Sequence, residues 1–203
     1  VQIILNKEIC EMEFFDGVTG KYKTVVLDPP WDISMSGITK TRPNRAKELS
    51  YTTMSLDEIK DIPIKDIAEV GAHVYMWTTN KMLEHTWDIF EKWGVNYHLT
   101  LVWVKPNGIP PCFAYKFATE FLVMGFFGKP MQKFIKNVQL NWLKATSGEH
   151  SEKPVVFYNL ISEMSPEPRL DVFARKRHDG FESWGLQVEQ KGQSFLPDWV
   201  TAN

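Results

Sequence analysis

Cysteine is scarce: two in 203 residues, Cys10 and Cys112, far apart and without CxxC spacing. That excludes a disulfide scaffold or a zinc ribbon, implies no metal, and fits a reducing compartment. Long apolar runs are missing too. None approaches the roughly 18 residues that a membrane-spanning helix needs, and the first residues lack the charged-then-apolar pattern of a secretory signal. The expectation is a cytoplasmic protein without membrane contact. Charge of one sign is also lacking. Lys and Arg total 23 against 25 acids, for a net charge of -2, so any contact with a polyanion must be local. No internal repeat, low-complexity tract or linker interrupts the chain.

Aromatic residues are plentiful, with eight Trp and thirteen Phe, which supplies flat apolar surface to a core, a cleft or both. Short apolar runs predict strands over Thr24 to Leu27, His73 to Thr78, Leu99 to Val104, Phe121 to Phe127 and Leu170 to Phe173. Helical patterns fall between them. Ser55-Leu56-Asp57-Glu58 has capping-box spacing, Asn80 can cap a segment through Trp93 that Gly94 stops, and Pro154 opens Val155 to Met164 before Ser165-Pro166 ends it. The alternation predicts one α/β domain over 1–203, with its core at about 23–189. Its sheet should be mostly parallel, covered by helices on both faces, with ligands beyond the carboxyl ends of the strands. Three stretches read as irregular: Asp32 to Ser50, Pro106 to Lys116 and Gly128 to Glu152.

The stretch KTVVLDPPW, Lys23 to Trp31, ends a buried strand on an acid, two prolines and a tryptophan. Two adjacent prolines fix two φ angles and remove two donors, leaving the carbonyls of Asp28 and Pro29 to face a ligand. The Asp28 carboxylate only accepts, and Trp31 offers a face to a flat ring. Such a rim suits a nitrogen with two N–H donors, as in the exocyclic amine of a nucleobase. Hydrogen bonds from both hydrogens would favour a pyramidal nitrogen whose lone pair is free to attack an electrophilic methyl, and the carboxylate would stabilise the developing positive charge. A lone Asp-Pro-Pro, by contrast, is usually a turn.

DPPW after an apolar strand resembles the catalytic motif of nucleobase amino-methyltransferases. LSYTTMS (from Leu49), VYMWTTN (from Val74), LVWVKPN (from Leu101), SEKP (from Ser151) and RLDVFARKR (from Arg169) follow in the order of the MT-A70 adenine-N6 methyltransferases. The resemblance, to a prokaryotic or phage type, spans roughly Lys23 to Glu189. It implies a Rossmann-like methyltransferase fold in permuted motif order, S-adenosylmethionine as cofactor, and a catalytic set of Asp28, Pro29, Pro30 and Trp31. Tyr51 and Glu120 would line the adenine pocket. Asp28, Lys153, Arg175, His178, Asp179 and Gln187 would contact the cofactor, with Leu186-Gln187 standing where relatives have Gly-Asn. The spacing from Arg175 to His178 is longer than in the eukaryotic mRNA writers.

Lys40, Arg42, Arg45 and Lys47 follow the motif closely. They read either as a solvated loop or as phosphate contacts flanking a flipped nucleotide. Lys153 alone would read as a solvated lysine, and Arg175 to Arg177 as a basic corner. His73, His85 and His98 lack metal-ligand spacing, and Trp77, Trp93 and Trp103 read as packing residues. The expected substrate is adenine in DNA, in a prokaryotic cell or a phage-infected host, because the compact form lacks the zinc-finger module of eukaryotic mRNA writers. RNA methylation, amino-cytosine methylation and a catalytically silent nucleic-acid-binding partner subunit are the rival readings. A homodimer or a paralogous partner subunit is compatible with the sequence.

Overall fold

The computed structural model describes residues 14–32, 53–106, 111–112, 115–130, 139–146, 148 and 152–185. Seven strands form one sheet in the order β7-β3-β6-β2-β1-β8-β9. In chain order they are β1 (Tyr22–Leu27), β2 (Ala68–Thr78), β3 (Val95–Val104), β6 (Thr119–Phe127), β7 (Trp142–Lys144), β8 (Arg169–Val172) and β9 (Glu182–Trp184). A second, two-stranded sheet pairs β4 (Pro111–Cys112) with β5 (Tyr115–Lys116). Helices α1 (Leu56–Lys60), α2 (Ile64–Ile67), α3 (Thr86–Trp93) and α4 (Val155–Met164) complete the described elements. Among the described residues no helix is long and apolar enough to cross a membrane.

The alternation of side chains along a strand sends neighbours to opposite faces, and two cores result. Val25 and Leu27 of β1, with Val74 and Met76 of β2, pack among Ile59, Ile64, Ile67, Ile89 and Phe90 of α1 to α3. Val26, Tyr75 and Trp77 point the other way, joining Trp103, Leu122 and Met124 against Phe157, Tyr158 and Ile161 of α4. The sheet is therefore covered on both faces, in a mixed α/β arrangement. Its pairs are parallel except for the two made by β6, which runs antiparallel to both β2 and β3.

Local signals account for several boundaries. The Ser55 hydroxyl accepts the Glu58 N–H while the Glu58 carboxylate accepts the Ser55 N–H, so the capping box at α1 forms. Gly94 stops α3 in the left-handed conformation, φ 70°. α4 runs from Val155 to Met164 between Pro154 and Ser165, as expected. Other expectations need correction. Asn80 caps no helix: its side-chain amide donates to Thr119 Oγ1 at 3.1 Å, and α3 starts only at Thr86 after a 3-10 turn over Leu83–His85. The stretches read as irregular contain β4, β5 and β7.

Candidate active site

Each strand end that matters here lies on one edge of the sheet. β1 ends in Leu27 and delivers Asp28, whose N–H donates to the Val172 carbonyl at the end of β8. β3 delivers Lys105, whose N–H donates to Ala118 O at 2.7 Å. Because β6 runs the other way, its first residues meet these carboxyl ends, and Glu120 stands opposite Trp103. Lys153 arrives from the segment before α4.

These four side chains form a continuous line of alternating charge. Lys153 Nζ lies 3.1 Å from Asp28 Oδ1 and 3.2 Å from Glu120 Oε2. Lys105 pairs with the other oxygen of Glu120. All four are nearly buried, with side chains only 10 to 15 % exposed. Burial alone would push the Glu120 carboxyl up, but the ammonium groups of Lys153 and Lys105 win and hold it below its ordinary value. Burial would likewise lower Lys153, yet Asp28 and Glu120 hold it above the usual lysine value. Two tryptophans floor the line: Lys153 Nζ sits 5.3 Å from the centre of a Trp77 ring and Lys105 Nζ 4.4 Å from that of Trp103. Trp103 is itself fixed by donating to Ala145 O at 2.8 Å, so both indoles are packing residues that also face a cation.

The motif's backbone departs from the simplest reading. The Pro29 carbonyl already accepts the Trp31 N–H at 2.8 Å, and the Pro30 carbonyl accepts the Met54 N–H at 2.8 Å. The Pro29 carbonyl, expected to be free to face a ligand, thus has one lone pair left for it. Trp31 is 7 % exposed within the core on the α1 to α3 side, and its indole N–H donates to Trp77 O at 3.2 Å. Little of the ring is therefore open to a ligand. Trp31 instead ties the motif to the end of β2.

Arg175 and His178 join Asp28 and Lys153 in lining a narrow cleft with Glu152, Tyr158, Asp171 and Phe173. Its free volume, about 20 Å³, is close to that of a single water site. Phe173, just past β8, has φ 64°, a region phenylalanine rarely adopts. Gly185 makes room for that turn, since a Cβ there would lie 2.8 Å from Phe173 Cα and from the Ala174 nitrogen. Asp179 sits on the exposed turn that follows and does not line the cleft. Tyr51, Gln187, Lys40, Arg42, Arg45 and Lys47 lie outside the described residues.

Three participants, two of them inside the quoted segments, had been given no role from the sequence. Asp171, one residue before the end of β8, is buried, and neither carboxylate oxygen accepts a hydrogen bond of ordinary geometry. Burial raises its pKa well above the ordinary carboxylate value, the Tyr158 hydroxyl opposes that rise and nearby Asp28 adds to it. The Tyr158 hydroxyl is pushed up as well, by burial and then by Asp171. The ring of Tyr158 stacks on His178, centroids 3.4 Å apart. Burial lowers the pKa of that histidine. Lys105 is the third. The apolar strand pattern concealed Asp171, and the pairing of Lys105 depends on the reversed direction of β6. A larger hollow of about 330 Å³ lies beside Tyr22, Arg177, Glu182 and Trp184, where the Tyr22 hydroxyl donates to Glu182.

The site suits S-adenosylmethionine in its charges. Asp28 and Lys153 match an amino-acid zwitterion, and Asp171, whose carboxyl oxygens have no hydrogen-bond partner of ordinary geometry among the described residues, lines the same cleft. Comparison with known proteins agrees. The MT-A70 family model matches residues 22–187. A protein from a Mycoplasma species named Type II methyltransferase M.MunI is 28 % identical over 184 residues, covering 83 % of this chain and 78 % of its own length. The human N(6)-adenosine-methyltransferase catalytic subunit METTL3 is 26 % identical over 184 residues, 86 % of this chain but 29 % of its own length. The Drosophila melanogaster N(6)-adenosine-methyltransferase MT-A70-like protein is 28 % identical over 175 residues, 82 % of this chain and 26 % of its own. The chain thus spans about a quarter of the length of these two animal relatives. It belongs to the MT-A70 family of adenine-N6 methyltransferases, whose methyl donor is S-adenosylmethionine.

Proposed function

We propose that this chain methylates the exocyclic amine of adenine in DNA, with Asp28 as the catalytic residue that touches the amine. The observation that carries this is the placement of the Asp28 carboxylate at the end of β1, next in the chain to the Pro29 carbonyl and 3.1 Å from the Lys153 ammonium. Both acceptors can take one N–H each from the amine, which holds the nitrogen pyramidal and aims its lone pair. Asp28 then stabilises the positive charge that grows on the nitrogen. Bound S-adenosylmethionine supplies an electrophilic methyl carried on a sulfonium.

Lys153 would hold the donor's carboxylate, Arg175 its ribose, and His178 the neighbouring wall beside Tyr158. Trp31 acts through position, by fixing the Asp-Pro-Pro turn to the end of β2. The catalytic strand β1 precedes β8 and the cofactor-side residues in the chain, which supports a permuted motif order. Coverage of most of the Mycoplasma relative, against about a quarter of the animal N(6)-adenosine enzymes, supports DNA as the polymer. A pocket of this kind takes only a base removed from its stack.

The test is incubation with labelled S-adenosylmethionine and matched DNA and RNA oligomers, followed by nucleoside analysis. N6-methyladenine in DNA is the expected product. Label confined to RNA would replace the polymer, label on cytosine the base, and no transfer to either would leave a silent nucleic-acid-binding subunit.

A further inference from the structure

LVWVKPN of the family pattern supplies Lys105, and this lysine ends the line of buried charges. Lys105 and Lys153 share Glu120, one on each carboxylate oxygen. Lys153 is shared in turn between Glu120 and Asp28. Two cations and two anions are thus neutral together, at 10 to 15 % exposure, where charges interact far more strongly than in water.

In this arrangement Lys153 occupies the carboxylate that the amine needs. For the site to work by the mechanism proposed above, Lys153 must turn from both carboxylates toward an external anion. Asp28 would then gain the amine as its partner. Glu120 would be left as a buried anion without compensation, which is strongly unfavourable, unless another cation stays with it. Lys105 is that cation. It is anchored independently of Lys153, by the backbone bond from its own N–H to Ala118 O and by the face of Trp103.

We propose that Lys105 is a positioning residue that neutralises Glu120 and so lets Lys153 leave for the carboxylate of the methyl donor. The proposal rests on the assignment of Lys153 to the donor. Without Lys105, Glu120 carries an undivided negative charge toward Lys153 and holds it in place. The effect falls on donor binding, with the acceptor chemistry at Asp28 left intact.

Calorimetric titration of the full chain with S-adenosylmethionine tests this, free of turnover. Lys105→Met should weaken donor binding about tenfold, within the range of coupling between neighbouring residues, and raise the donor KM with kcat near that of the unaltered protein. Lys105→Arg should restore the affinity. In a Glu120→Gln background Lys105→Met should change nothing further, because its effect passes through that carboxylate. Wild-type affinity in Lys105→Met, or an equal loss with and without Glu120, would overturn the proposal. Should Lys105→Met not fold, Glu120→Gln alone decides: tighter donor binding supports the proposal, and unchanged or weaker binding overturns it. Lys153→Ala separates the two levels. Unchanged affinity there removes the assignment of Lys153 itself, whereas weakened affinity there beside an unaffected Lys105→Met removes only the role of Lys105.

Discussion

Two buried cations sit at opposite ends of the sheet, and they are satisfied in different ways. At the amino end Arg169, the first residue of β8, donates to the carbonyls of Ser162, Ser165 and Gly180 and to the Glu167 carboxylate. Nearby, Ser165 Oγ lies 2.8 Å from both His73 Nδ1 and the Tyr75 hydroxyl. At the carboxyl end Lys153 meets, among the described residues, the side chains of Asp28 and Glu120, with the Trp77 face beneath it. Carbonyls of the main chain cannot move away without unfolding the turn that bears them. Carboxylates on side chains can exchange one cation for another. The guanidinium therefore acts as a permanent clasp, and the ammonium as a partner that can be released.

The largest way to break this contrast is at Asp28. Asp28→Asn should lower methyl transfer on the order of 10²- to 10³-fold, the usual consequence of losing a group aimed at developing charge, while the denaturation midpoint stays close to that of the parent. Steady transfer rates with labelled donor measure the first and urea unfolding the second. At the other end the pattern should invert. Arg169→Met leaves several buried carbonyls without donors and should destabilise by about 3 kcal/mol. Urea unfolding of the purified variant reads this, and a midpoint equal to the parent's would show that the clasp is dispensable.

A third test sharpens the comparison through pH. Asp171 has its folded pKa raised, so it contributes stability in its protonated form. That contribution is complete below the unfolded carboxyl value and is lost as pH rises through the folded one. Asp171→Asn should therefore stabilise the donor-free protein near pH 7 by about 1 kcal/mol and make little difference below pH 4. Unfolding curves at the two pH values check the sign, and a variant less stable at pH 7 would refute it. The smallest effect is expected at His178. Its lowered pKa means that its contribution is present above the unfolded imidazole value and declines as pH falls through the folded one. His178→Phe keeps a ring over Tyr158 and should flatten the loss of stability between pH 7 and 5 by less than about 1 kcal/mol.

What could be read in advance follows from the range of each interaction. The capping box at Ser55, the Gly94 stop and the limits of α4 depend on residues within a turn of one another, and all three are visible in the sequence. The Asp28 motif was legible because proline acts on its own backbone, although the bonds from Trp31 N–H to Pro29 O and from Met54 N–H to Pro30 O needed the fold. β7 and β9 were not legible. They have three residues each, and partners across the sheet decide their pairing. Least readable was the direction of β6. An apolar run looks the same in either orientation, yet only the antiparallel one brings Glu120 to Lys105 and Lys153. Asn80 shows the converse error, since a residue suited to capping found a more distant partner in Thr119.

The ammonium over Trp77 gives the site an optical consequence. A charge 5.3 Å from an indole ring shifts the energy of its excited state, so departure of Lys153 should change the colour of Trp77 emission. With eight tryptophans in the chain, the signal is a difference spectrum against Trp77→Phe. The site then carries its own voltmeter, able to time the release of the lysine in stopped flow without any label.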